Sequence, residues 1–173
     1  MTIRIERAGR GFRLSAETRL PRPIDEVFPF FADAHNLDRL TPDRVRFKII
    51  TDGEIPMATG TLIDYRIAIR GVPVRWRTRI RDWDPPHGFV DEQVRGPYRW
   101  WIHRHTFEAA GDSTIARDEI DYGVLGGALV HGLIVKRDLQ YIFAYRAEQM
   151  AKIFGTPGGV TPAGAAASVA AER

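Results

Sequence analysis

The sequence contains no cysteine. That excludes disulfide staples, zinc ribbons and thiolate nucleophiles together, and with them redox chemistry carried by the protein's own thiols. Lysine is nearly as scarce, confined to Lys48, Lys136 and Lys152, so arginine carries the basic side of a formal net charge of only +3. No apolar run approaches the roughly 18 residues that a membrane span needs. The arginines between Met1 and Arg10 are not followed by the apolar stretch of a secretion signal. A soluble, cytoplasmic protein is the expectation. Several signatures are also missing: Gly-x-Gly-x-x-Gly after a strand, Gly-x-x-x-x-Gly-Lys-Ser/Thr, Gly-x-Ser-x-Gly and His-Glu-x-x-His. Nucleotide cofactors, serine hydrolysis and zincin proteolysis are therefore not expected, and nothing calls for a cofactor of any kind.

At 173 residues the chain has the size of one domain with a substantial core. Hydrophobic periodicity divides it. Residues 1–10 read as an N-terminal extension, 11–155 as a single domain, and 156–173 as a tail too rich in Ala, Gly and Pro to order itself. From Phe12 to Leu20 apolar and polar residues alternate as in a half-buried strand. Pro21 and Pro23 end it, and Pro23 suits the start of a helix through Ile24, Val27, Phe28 and Phe31. A second short helix is predicted over 33–40 and a strand over 45–51.

A series of strands follows, separated by turn residues. Residues 61–70 place Ile63, Tyr65, Ile67 and Ile69 on one face; Gly71, then Asp84 to Gly88, Gly96-Pro97 and Gly111-Asp112 mark the turns of an antiparallel meander. From Leu129 to about Phe154 the period becomes helical, with Val135, Leu139, Ile142, Met150 and Ile153 on the apolar side and Gly155 as a C-cap. Such a helix is long enough to cross a whole curved sheet. An apolar sheet face needs a covering layer, and a gap between that helix and the sheet is the natural place for a small molecule.

The most informative strand is Trp100 to Phe107. Side chains alternate along a strand, so His103 and His105 point the same way, flanked on that face by Trp101 and Phe107. Asp118, Ile120 and Tyr122 share a face of the next strand, while Arg117, Glu119 and Asp121 take the wetter one. Trp76 faces inward by parity, because Arg75, Arg77, Arg79 and Arg81 occupy the other side of its strand. That arginine stripe reads either as a dock for an anionic membrane, nucleic acid or acidic partner, or as a solvated outer face paired with neighbouring acids. The second reading is preferred, so no nucleic-acid partner is expected, although transient contact with a membrane surface stays open.

The order strand, two short helices, antiparallel strands and long C-terminal helix resembles the helix-grip fold of the START, Bet v 1 and polyketide-cyclase superfamily, SRPBCC. The resemblance spans Phe12 to Phe154. It is carried by Arg22-Pro23 before Glu26-Val27-Phe28, by Phe31-Ala32-Asp33-Ala34 with Asn36-Leu37, and by Gly60-Thr61 with Ile63-Asp64-Tyr65-Arg66. It continues through Arg75-Trp76-Arg77-Thr78, Pro85-Pro86 with Phe89-Val90-Asp91, and Gly96-Pro97-Tyr98 with His103, His105 and Phe107. These strings are similar to those of a bacterial cyclase/dehydrase-like branch. The resemblance implies an α+β fold: a curved antiparallel sheet of about six to seven strands around the C-terminal helix, with two short helices after the first strand.

Lipid carriers, hormone receptors and polyketide aromatase/cyclases share that fold, so it does not choose between binding and catalysis. As a binding module, the chain would hold a small hydrophobic, lipid-, isoprenoid- or polyketide-like ligand against Tyr65, Trp76, Trp101, His103, His105, Phe107, Asp118, Tyr122, Leu139 and Ile142. As a cyclase or dehydratase, it would use His103, His105 and Asp118 as acid and base. A buried Asp118 anchoring a histidine explains the same pattern without chemistry. A metal on the two histidines would need a third ligand, Asp118 or Asp64, that nothing local supplies, so no metal is expected.

Overall fold

The computed structural model describes residues 1–156. Strands β1 (Thr2–Ala8) and β2 (Gly11–Leu20) form a hairpin, after which helices α1 (Ile24–Phe31) and α2 (Asn36–Arg39) carry the chain across to a two-residue edge strand, β3 (Lys48–Ile49). Strands β4 (Leu62–Ile69), β5 (Val72–Asp84), β6 (Gly88–Arg95), β7 (Trp100–Ala109) and β8 (Thr114–Gly123) then return as an antiparallel meander. One sheet results, ordered β1-β2-β8-β7-β6-β5-β4-β3. The closing helical run, α3 (Gly127–Val130), a π-helical turn (His131–Val135) and α4 (Lys136–Phe154), is 28 residues long. This is the helix-grip arrangement.

The sheet has eight strands rather than six to seven, because the expected N-terminal extension is largely β1. Its register with β2 runs from Thr2 opposite Glu17 to Ala8 opposite Gly11. Ile3 and Ile5 share one face and pack on the core, which supplies the reason for pairing; two isoleucines either side of Arg4 are too short an alternation to stand out. The two helices consequently follow the second strand, not the first. The helix predicted over 33–40 contracts to Asn36–Arg39, and the strand over 45–51 contracts to Lys48–Ile49. As a sheet edge, β3 has only β4 to pair with, and the backbone enters it through a left-handed residue, Arg46. The tail predicted at 156–173 lies, but for Thr156, outside the described residues.

Helix α1 begins after Pro23, which holds an extended ψ, and its first turn carries Asp25 and Glu26, whose charge suits a helix N-terminus. Its buried Val27 and Phe28 cover one end of the concave face, with Phe28 edge-on to Phe107. Helix α4 covers the rest. Leu139, Phe143, Arg146, Met150 and Phe154 recur at helical spacing and are all buried. The outer face carries the arginine stripe. Arg77 grips Asp64 at 2.7 and 2.8 Å, Arg81 reaches Glu92 at 2.8 Å, and Arg79 also bonds Glu92. Acids on β4 and β6 therefore engage three of the four guanidinium groups.

The apolar core falls into two clusters. One surrounds α1 and includes Leu20, Phe28, Phe89, Phe107, Ala116, Met150 and Phe154; the other includes Phe12, Leu14, Trp76, Trp101, Ile120, Tyr122, Leu139 and Phe143. Each inward strand face passes from one cluster to the other, and at the crossing the residues turn polar. On β7 the sequence is Trp101, His103, His105, Phe107; on β8 it is Tyr122, Ile120, Asp118, Ala116; on α4 it is Phe143, Arg146, Met150. A polar seam crosses the interior at one level.

Candidate functional site

Sheet register builds the seam. Asp91 on β6 lies opposite His103, and His105 lies opposite Asp118 on β8, so three adjacent strands set two carboxylates on either side of two imidazoles. Arg146 descends onto Asp118 from the helix. Asp91 Oδ2 is 3.0 Å from His105 Nε2 and 3.5 Å from His103 Nδ1. Asp118 Oδ1 is 3.0 Å from His103 Nε2, 2.8 Å from His105 Nδ1 and 3.3 Å from Arg146 Nη2. The His105 Nδ1 contact is close enough for charge attraction but out of line for a hydrogen bond, so that nitrogen has no hydrogen-bond partner among the described residues. The imidazole centroids are 3.7 Å apart.

These groups share one dielectric environment but not one protonation state. Burial pushes the pKa of His103 down, His105 beside it pushes the same way, and the two acids do not make up the difference. Burial acts on His105 in the same direction, yet Asp118 and Asp91 together outweigh it and lift its pKa above the ordinary value. Burial alone would raise Asp118, but Arg146 and the two imidazoles hold its carboxyl well below the usual range. At neutral pH His103 is thus the neutral ring and Asp118 an anion tied to Arg146. The Arg146 guanidinium also lies over Phe31 and Phe143, at 5.6 and 5.8 Å from the ring centroids.

Above the seam, between sheet and helix, lies a cavity of about 850 Å³. Its wall is mainly apolar: Phe31, Ile63, Ile67, Trp101, Leu139 and Ile142 are representative. Tyr65, Trp76 and Tyr98 form an aromatic run, with Tyr65 and Trp76 stacked at 5.8 Å and Trp76 meeting Tyr98 at 5.6 Å. Burial raises the phenol pKa values of Tyr65 and Tyr98, which keeps both protonated. Tyr65 Oη shares a 3.0 Å hydrogen bond with Thr78, whereas the buried Trp76 Nε1 has no partner among the described residues. The seam reaches this wall through Asp91, His103, His105 and Arg146.

An open antiparallel sheet grips a long helix, with a mainly apolar cavity between them. A family model described as "Polyketide cyclase / dehydrase and lipid transport" matches residues 20–142. The chain belongs to this family. Comparison with curated protein sequences gives no match. Among solved structures the chain is similar to a START superfamily protein from Mycobacterium smegmatis, with TM-score 0.61 and 12% identity over 82% of this chain and 98% of that one. It is also similar to ginseng major latex-like protein 151 from Panax ginseng, at TM-score 0.60 and 13% identity over 84% and 99% of the two chains. A protein from Arthrobacter aurescens gives TM-score 0.67 and 11% identity over 90% and 92%. At these identities the likeness is one of fold. Membership of this family supports ligand binding or cyclase-type function in general terms.

Of the residues singled out in the sequence, Tyr65, Trp76, Trp101, His103, His105, Leu139 and Ile142 line the cavity of this family member. Phe107, Asp118 and Tyr122 share the inward face but do not line it. Phe107 is sealed under Phe28 and Phe31. Asp118 sits behind the histidines, and Tyr122 is buried at the far end, hydrogen-bonded to His131 Nε2 at 3.0 Å. Asp64 lies on the outer face against Arg77 and has no access to the histidines. The sequence reading missed Asp91 and Arg146. Asp91 shares strand parity with the inward Phe89, and Arg146 falls on the Leu139, Phe143, Met150 stripe; each signal was available.

Proposed function

We propose that the protein binds a small hydrophobic molecule, lipid-, isoprenoid- or polyketide-like, between the sheet and the C-terminal helix, as a carrier or receptor. The observation that carries this reading is the cavity of about 850 Å³, apolar and aromatic except where the seam touches it. That size falls within the range of pockets that enclose a small ligand, roughly 300–1,000 Å³. The seam is confined to one level of an otherwise apolar wall, so the cavity favours a mostly apolar ligand with a few oxygens. The seam groups that reach the wall, Asp91, His103, His105 and Arg146, are the polar partners that such oxygens would meet.

The test is native mass spectrometry of the purified protein, followed by denaturation and identification of what is released. The expected result is a hydrophobic compound bound one per chain, or uptake of one from a panel of fatty acids, isoprenoids and aromatic polyketides. Protein that carries none and takes up none overturns the reading.

One observation favours a second reading, a cyclase or dehydratase. A neutral imidazole and one of raised basicity stand 3.7 Å apart in the cavity wall, a ready base and acid for enolisation and water loss. His103 and His105 would be the catalytic residues, and Asp118, set behind them, would hold their orientation. His105→Ala separates the readings: a carrier loses affinity modestly, whereas a cyclase loses turnover by orders of magnitude.

A further inference from the structure

We propose that Asp91, His103 and His105 form a binding site for one divalent transition-metal ion in the wall of the cavity. The three candidate ligand atoms all lie within 4.8 Å of one another. Asp91 Oδ2 stands 3.0 Å from His105 Nε2 and 3.5 Å from His103 Nδ1. Metal bonds of about 2.0–2.2 Å place neighbouring ligands roughly 3.0–3.5 Å apart at right or tetrahedral angles, so these two separations already suit a shared ion.

The ring nitrogens not assigned to the ion supply the second observation. His103 Nε2 and His105 Nδ1 both face Asp118 Oδ1, at 3.0 and 2.8 Å, and Arg146 holds Asp118 from the helix. A carboxylate hydrogen-bonded to the remote nitrogen, as Asp118 is to His103 Nε2, orients a metal-binding histidine and strengthens it as a ligand; His105 Nδ1 meets the same oxygen by charge attraction alone. Charge agrees as well: once the ion displaces any imidazole proton, two carboxylates and one guanidinium leave a net single negative charge to meet a dication. A donor set of two imidazoles and one carboxylate selects zinc, iron, cobalt or nickel over magnesium or calcium.

All three residues line the cavity, whereas Asp118 does not, so the remaining coordination positions would open toward the cavity and an oxygen of whatever occupies it. The third ligand that the sequence lacked nearby comes from the adjacent strand. The inference does not depend on the identity of the hydrophobic molecule.

The experiment uses untagged protein, stripped with a chelator and dialysed, titrated with Co²⁺ and separately with Zn²⁺ by calorimetry, with visible absorption recorded for Co²⁺. One equivalent per chain is expected, with ligand-field bands of imidazole-bound cobalt. His105→Ala and Asp91→Asn should each weaken binding at least about 100-fold, and Asp118→Asn about 10- to 100-fold, because it removes only the orienting carboxylate. Replacing the remote His35 and His87 by Gln should change nothing. Should a seam variant fail to fold, selective Zn²⁺-induced shifts of the His103 and His105 ring resonances in the wild type support the site. Absence of stoichiometric binding, binding retained in both His105→Ala and Asp91→Asn, or binding lost with His35 and His87 overturns it. None of these readouts requires a hydrophobic ligand, so they fail independently of the binding reading.

Discussion

Replacing Arg146 by Met tests whether the seam is held by charge. Arg146 is 6% exposed, and the side chain of its partner Asp118 is 9% exposed. Removing one member of a buried ion pair typically costs about 3–5 kcal/mol, because a charge is left without its partner. Here the two imidazoles still face Asp118, which sets the expectation at the low end, about 3 kcal/mol, and Met preserves much of the packing volume. For a domain of this size that corresponds to a fall in melting temperature of roughly 6–12 °C. Urea denaturation at pH 7, checked by calorimetry, measures it. Adding Asp118→Asn to Arg146→Met should restore part of the loss, with a coupling of about 1–3 kcal/mol. Acid adds a sign check. Asp118 is depressed below its ordinary carboxyl value, so its contribution is present above that value and lost as pH falls through the folded value; the Arg146→Met penalty should shrink in the same direction. A penalty below about 1 kcal/mol, or a double variant no more stable than the sum of the singles, would refute the reasoning.

Titrating the histidine rings by NMR should show His103 protonating below and His105 above the ordinary histidine value, and identical ordinary curves would contradict the burial and charge argument. In stability terms His105 contributes below the unfolded value and its contribution is lost as pH rises through the raised folded value, whereas His103 resists protonation, so its share fades as pH falls. A methyl at Gly88 would run into the His105 carbonyl oxygen across the β6–β7 ladder, so Gly88→Ala should cost at least about 2 kcal/mol; an unchanged urea midpoint would show that the strands can shift. Tyr122→Phe should cost about 1 kcal/mol through the lost His131 hydrogen bond and leave binding of a hydrophobic probe unchanged, since Tyr122 lies outside the cavity wall.

Much of this architecture was legible because period and parity are local properties. Alternation placed Trp76 inward and the arginines outward, and put Trp101, His103, His105 and Phe107 on one face, as the burial along β5 and β7 has it. Parity says which face a residue takes, not what covers it. That is why Phe107 and Tyr122, correctly inward, end up beneath α1 and beside His131 instead of on the cavity. Asp91 and Arg146 were harder to read because polarity argues for solvent, and only the register across three strands, with the helix laid over them, shows that each meets an opposite charge or an imidazole. Ile3 and Ile5 are too few to announce β1 until β2 is there to pair with it.

The central claim is that the space between sheet and helix is a binding cavity. Its most direct test is a fluorescence titration with anilinonaphthalene sulfonate of the wild type and of Ile142→Trp, which puts an indole into the cavity wall. The account predicts saturable one-to-one binding by the wild type, lost in the filled variant while its melting temperature stays near the original. Equal binding by both proteins would place the probe elsewhere and contradict the claim.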